Sequence, residues 1–85
     1  MEYYVYIIRS LKDSSYYKGY SIQPHFRLEE HNLGLSKYTS LKRPWVLVHL
    51  EVFALKSAAL KREKHLKKYS NEQIQRLITS PKNLL

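Results

Sequence analysis

Tyr3-Tyr4-Val5-Tyr6-Ile7-Ile8, the polar run Lys12-Asp13-Ser14-Ser15 and Tyr16-Tyr17-Lys18-Gly19-Tyr20 decide how this chain begins to fold. Tyrosine, valine and isoleucine suit a pleated, half-buried backbone, and the four polar residues between the two runs are turn formers. The runs are therefore expected to be strands paired as an antiparallel hairpin. Alternation places Tyr4, Tyr6 and Ile8 on one face and Tyr3, Val5 and Ile7 on the other. Together the runs hold six of the eight tyrosines. Phenols crowded onto adjacent strands are either core or proton donors and acceptors in a site.

Working outward, Pro24 suits the first turn of a helix because its missing N–H loses nothing there. That helix is expected to run to Leu33 and stop at Gly34, with Phe26 and Leu33 marking its buried stripe. Residues 35–44 read as a polar, basic loop ending at Pro44. Trp45 to Phe53 reads as a third strand, with Val46, Val48, Leu50 and Val52 on one face. Residues 55–68 read as a lysine-rich helix. Ser70 and Gln73 fit a capping box, and Ile74, Leu77 and Ile78 mark the apolar side of a last short helix. Ser80-Pro81 ends it, and the tail, residues 79–85, is expected to fray. The order β-β-α-β-α-α places the chain in the α+β class, as one domain over residues 1–85 with its core over about 3–78.

Composition narrows the function. The chain has 85 residues, no cysteine and a formal net charge of +8. Disulfides, thiolate metal sites and cysteine nucleophiles are excluded. The start lacks a basic stretch followed by an apolar run, and no segment approaches the roughly 20 apolar residues of a membrane span, so a cytoplasmic protein is expected. Residues 35–68 carry nine basic against two acidic side chains, a net of +7. Such a field favours a polyanion, and nucleic acid above all, because phosphate neutralisation releases counterions. Lys37, Lys42 and Arg43 in the loop and Lys61, Lys64 and Lys67 in the helix are the candidate contacts. The plainer reading is a solvated lysine face.

Glu63 is the only acid in its helix. With Ala59 at zero on the helical wheel, Glu63 falls at about +40°, inside the apolar arc, while most of the lysines face away. A half-buried carboxylate is costly unless paired or bound to a cation, so Glu63 either forms a salt bridge with a nearby arginine or holds a metal. Arg27 and His31 are neighbours on one helix face. Arginine matches phosphate oxygens, and histidine moves protons near neutral pH. The alternative is that Arg27 pairs with a local glutamate and His31 is an ordinary surface residue. His25, His49 and His65 show no metal-ligand spacing.

Taken together, strand phenols, an Arg/His pair, an inward glutamate and a basic surface are the parts needed to cut a phosphodiester. Arginine can offset charge on the phosphate. One carboxylate can hold a divalent ion that keeps waters and takes phosphate oxygens. A tyrosine made more acidic by nearby cations can orient or deprotonate the attacking water.

This set resembles the GIY-YIG nuclease superfamily, and within it the small stand-alone bacterial branch, over residues 3 to about 78. Tyr4-Val5-Tyr6 stands where the family has its first tripeptide and Tyr17-Lys18-Gly19 where it has the second. Arg27, His31-Asn32 and Glu63 follow in matching order. Tyr4 replaces the first motif's glycine and Lys18 the second motif's isoleucine. The family's later asparagine falls nearest Gln75, with Asn71 earlier as a possible support. The resemblance implies a three-stranded antiparallel sheet flanked by helices. It implies that Tyr6 is the general base or water-orienting group, Tyr17 a second phenol, Arg27 the phosphate holder, His31 its support or proton carrier, and Glu63 the sole protein ligand of one Mg²⁺ or Mn²⁺. It also implies DNA as substrate. Two rivals stand beside the endonuclease: a non-catalytic nucleic-acid-binding module on the same scaffold, and an interaction domain whose basic face meets an acidic protein.

Overall fold

The computed structural model describes residues 1–85. Its elements are β1 (Tyr3–Ser10), β2 (Tyr16–Ser21), α1 (Pro24–Asn32), α2 (Lys37–Ser40), β3 (Trp45–Phe53), α3 (Lys56–Leu66) and α4 (Asn71–Ile78). The strands form one antiparallel sheet in the order β2-β1-β3. The expected α+β architecture is therefore present, with one addition. The segment expected to be a plain loop contains the single turn α2.

β1 is the central strand, and its alternation sorts the molecule into two layers. Val5 and Ile7 are fully buried on one side, with Ala59 and Leu66 of α3 and Ile74 and Leu77 of α4. Tyr6 and Ile8 are buried on the other side, with Trp45 and Leu50, and Leu28 of α1 packs against them. The hairpin turn forms as its polar residues suggest. The buried Ser10 hydroxyl donates to the Lys42 carbonyl at 2.6 Å and accepts from the Lys12 and Asp13 amides. Ser14 takes a positive φ of 65° within the turn. The α4 capping box is complete, with Ser70 Oγ accepting from Gln73 N–H and Gln73 Oε1 from Ser70 N–H.

Three local expectations are corrected. The face of α1 that meets the sheet is built by Pro24, Leu28 and the fully buried His31, while Phe26 and Leu33 are 58% and 70% exposed. The helix turns a polar residue inward and Phe26 and Leu33 out, so Phe26 and Leu33 do not mark its buried stripe. β3 does not keep one valine face. The pairing shifts between Ile7↔His49 and Ile8↔Leu47, which leaves Val48 as an extra residue. This bulge puts Val48 in the α3/α4 layer while Leu50 lies in the Tyr6 layer. The tail does not fray. Asn83 Nδ2 donates to the carbonyls of Val48 (2.9 Å) and Ile78 (2.8 Å), its Oδ1 accepts from Leu50 N–H (3.1 Å), and Leu84 N–H donates to Leu50 O (3.0 Å).

A second polar cluster lies in the α3/α4 layer. Glu51 accepts from Arg62 Nε (2.9 Å) and Nη2 (3.1 Å) and from His49 Nε2 (2.7 Å). A carboxylate only accepts, so His49 Nε2 carries the proton, and its buried Nδ1 has no partner. The Arg62 guanidinium also lies over the Tyr69 ring, 5.8 Å from its centroid.

Candidate active site

Tyr6 and Gly19 face each other across the β1–β2 pair. Gly19 is needed for space rather than for an unusual backbone. A Cβ there would overlap the Tyr6 hydroxyl and its ring carbon Cζ. The phenol thus lies directly over the β2 backbone, which fixes where its oxygen stands. Gly19→Ala is expected to push the ring aside at about 1–3 kcal/mol of stability. The check is urea denaturation beside an NMR spectrum of the Tyr6 ring, which should shift while the α3/α4 layer does not.

From that position the Tyr6 hydroxyl meets His31 Nε2 at 3.0 Å, inside the protein. His31 Nδ1 meets Thr39 Oγ1 of α2 at 2.7 Å. Arg27, one turn earlier on α1, offers only donors. The tautomer that uses every proton has Nδ1–H donating to Thr39 and the Tyr6 O–H donating to Nε2. The Tyr6 oxygen then keeps its lone pairs for a further donor. Tyr17 closes the group, with its ring centroid 6.5 Å from that of Tyr6, 5.1 Å from His31 and 6.5 Å from Trp45.

Electrostatics correct one expectation. Burial pushes the Tyr6 phenol up to about 12, with Tyr17 and Glu63 adding to the rise and Arg27 opposing it. Proximity of cations does not make this phenol more acidic, because loss of water outweighs them. Burial, aided by the Arg27 charge and opposed by Glu30, holds His31 down at about 4. Both groups are neutral near pH 7.

The remaining candidates are placed as follows. Arg27 is half-buried and reaches Glu30 at 3.5 Å, a long pair that leaves most of its donors available. The Glu63 side chain is 18% exposed and pairs with Lys67 at 3.6 Å, a lysine rather than an arginine. Its charge is felt at the Tyr6 phenol. Asn71 and Gln75 are exposed on α4. Tyr4 hydrogen-bonds Glu2 at 2.9 Å and packs at the edge of the Tyr6 layer. Lys37, Lys61 and Lys64 are exposed, whereas Lys42 pairs with Asp13 at 3.4 Å and Arg43 donates to Ser40 O at 2.7 Å.

Two further residues support the site. Thr39 sits inside the segment read as loop, and nothing in its neighbours marks it. Asn32 grips the start of β3, donating to Trp45 O (3.0 Å) and accepting from Trp45 N–H (2.7 Å). This locks α1, and with it Arg27 and His31, against the sheet.

A profile described as the GIY-YIG catalytic domain matches residues 2–76. The chain belongs to the GIY-YIG family. A UPF0213 protein of Staphylococcus haemolyticus is 42% identical over 78 residues, covering 91% of this chain and 94% of the relative. A UPF0213 protein of Staphylococcus aureus strain Mu50 is 43% identical over 77 residues, covering 89% and 93%. The solution NMR structure of the UPF0213 protein BH0048 from Bacillus halodurans superposes with a TM-score of 0.61 at 32% identity, over 96% of this chain and 87% of that one. GIY-YIG membership makes this a nuclease-family domain. No helix is long and apolar enough to cross a membrane.

Proposed function

We propose that this GIY-YIG chain is a divalent-metal-dependent endonuclease that hydrolyses nucleic-acid phosphodiester bonds. The observation that carries this is the Tyr6–His31 hydrogen bond, 3.0 Å and buried, beside the Arg27 guanidinium. DNA, rather than RNA, follows the family and no particular residue. In the reaction, water attacks phosphorus while its proton passes to the Tyr6 oxygen and the Tyr6 proton passes to His31 Nε2. Neither residue needs to be ionised beforehand, which suits two groups that are both neutral at pH 7. Thr39 holds the imidazole so that Nε2 stays the acceptor. The P–O bond to the leaving sugar breaks, and that oxygen takes a proton from solvent. Arg27 binds the phosphate oxygens and offsets their growing charge.

No group of three metal-ligating side chains forms anywhere in the molecule. A single, largely covered carboxylate fits an ion that keeps several waters and completes its shell with phosphate oxygens. Glu63 would hold it, exchanging its bond to Lys67, and Mg²⁺ or Mn²⁺ bound there would supply Lewis-acid stabilisation of the phosphate charge.

Incubation with supercoiled, branched and single-stranded DNA in Mg²⁺ or Mn²⁺ is the test. Cleavage should fall at least 100-fold in Glu63→Ala and in Arg27→Ala, with circular dichroism unchanged. No cleavage above the Glu63→Ala control on any substrate, with binding intact, would leave the non-catalytic binding module in its place.

A further inference from the structure

Tyr38 is 87% exposed and Leu41 81% exposed, and Lys37, Lys42 and Arg43 flank them in the same short segment. This segment is not loosely held. The Thr39 side chain bonds His31, its carbonyl accepts from the Trp45 indole N–H at 2.9 Å, and the Leu41 carbonyl accepts from Lys12 Nζ at 3.1 Å. Arg43 packs against Gly34, whose φ of +80° and missing side chain make room for it. Beside Leu41 lies a groove of about 430 Å³, lined by Lys12, Asn32, Ser40, Leu41, Arg43 and Pro44. A fixed turn thus holds a large aromatic ring and a leucine in water among cations.

Single exposed hydrophobics are ordinary. An aromatic ring interleaved with cations is the arrangement that binds a nucleic-acid strand, since the cations meet phosphates and the ring stacks on a base. Charge decides the occupant here: the charged residues of the segment are Lys37, Lys42 and Arg43, of which only Lys42 has an acidic partner, Asp13, and this net positive charge suits a polyanion and opposes a second copy of the same face. Only an unpaired base offers a free face for stacking.

We propose that Tyr38, supported by Leu41, is a stacking platform for an unpaired base of a nucleic-acid strand, and that it sets which phosphodiester lies at Tyr6 and Arg27. Tyr38 adjoins Thr39, which holds His31, so a base seated on the ring is in fixed register with the site. The second half of this proposal rests on the endonuclease reading, while the platform itself does not.

Binding is therefore measured without divalent ions, using the full chain and oligonucleotides carrying 2-aminopurine at an unpaired position. Quenching of the 2-aminopurine on binding is expected. Tyr38→Ala should weaken the single strand by about 5- to 150-fold, with the salt slope unchanged, while Tyr38→Phe stays within about twofold. Lys37→Ala should instead lower the salt slope by about 0.7. Equal single-strand affinity for the wild type and Tyr38→Ala overturns the platform and leaves the endonuclease reading intact. Sedimentation showing a dimer that Tyr38→Ala splits overturns it in favour of a second copy. Stacking without cleavage sinks only the endonuclease reading, and a wild type that binds no oligonucleotide sinks both.

Discussion

Tyr6→Phe is expected to lower single-turnover cleavage by about 10²- to 10⁴-fold while the chain stays folded. The ring keeps its place over Gly19, so packing is preserved, and only the oxygen is lost. In the proposed reaction that oxygen accepts the water's proton and passes its own to His31 Nε2, which it meets at 3.0 Å. Stability should fall by about 1–3 kcal/mol, because a buried imidazole nitrogen loses its partner. The pH profile is a second readout. His31 must be neutral to accept, and burial holds it at about 4. The acid limb of the wild-type rate should therefore lie well below the ordinary histidine value of 6.5, near 4, and the rate should not fall between pH 5 and neutrality on this group's account. Measured single-turnover rates for Tyr6→Phe within about threefold of wild type would remove Tyr6 from the proton path.

Arg62→Met is the substitution expected to cost the most stability. Glu51 is buried, and Arg62 grips both its oxygens. Removing one partner of such a pair strands the other charge, at about 3–5 kcal/mol, against a total of about 5–15 for a domain of this kind. In urea denaturation the midpoint should drop steeply. Lys67→Ala, which removes only the exposed partner of a single long pair, should change stability by no more than about 1 kcal/mol. The acid behaviour follows from the same carboxyl. Burial pushes Glu51 up, but the hydrogen bonds from His49 and Arg62 and their charges outweigh it and leave it at about 2. A carboxyl depressed in the fold stabilises above its unfolded value and loses that contribution as pH falls through the folded one. Wild-type stability should thus decline between about pH 4.5 and 2, and the double variant Glu51→Gln with Arg62→Met should decline less. A loss under about 1 kcal/mol in Arg62→Met would show that the pair carries no such weight.

The strands were legible because β1 alternates cleanly and its neighbours are turn-forming residues. Glu63 was legible because one carboxylate among lysines falls on the Ala59 side of its helix, and the structure does cover it. α1 misled for a physical reason. Its inward face carries His31 beside Arg27, so the helix that builds the site reverses the usual apolar stripe, and Phe26 and Leu33 face water. The β3 bulge at Val48 has no marker in a run of valines and leucines. Asn83 lies in a tail whose polar composition says nothing of the carbonyls it finds. The acidity of Tyr6 does not follow from the cations near it, because burial is the larger influence. The hydrogen bond between Thr39 and His31 needed coordinates, since only the fold brings α2 against α1.

The central claim is that β1, β2, α1 and α3 bring Tyr6, Tyr17, Arg27, His31 and Glu63 to one metal-and-phosphate site. Paramagnetic broadening by Mn²⁺, read residue by residue in the ¹⁵N spectrum with a short phosphodiester present, tests it most directly. The account predicts that signals of these five residues broaden together and first, and that Glu63→Ala abolishes the effect. Broadening centred instead on Asp13 or Glu72, with Glu63 and Tyr6 untouched, would contradict it.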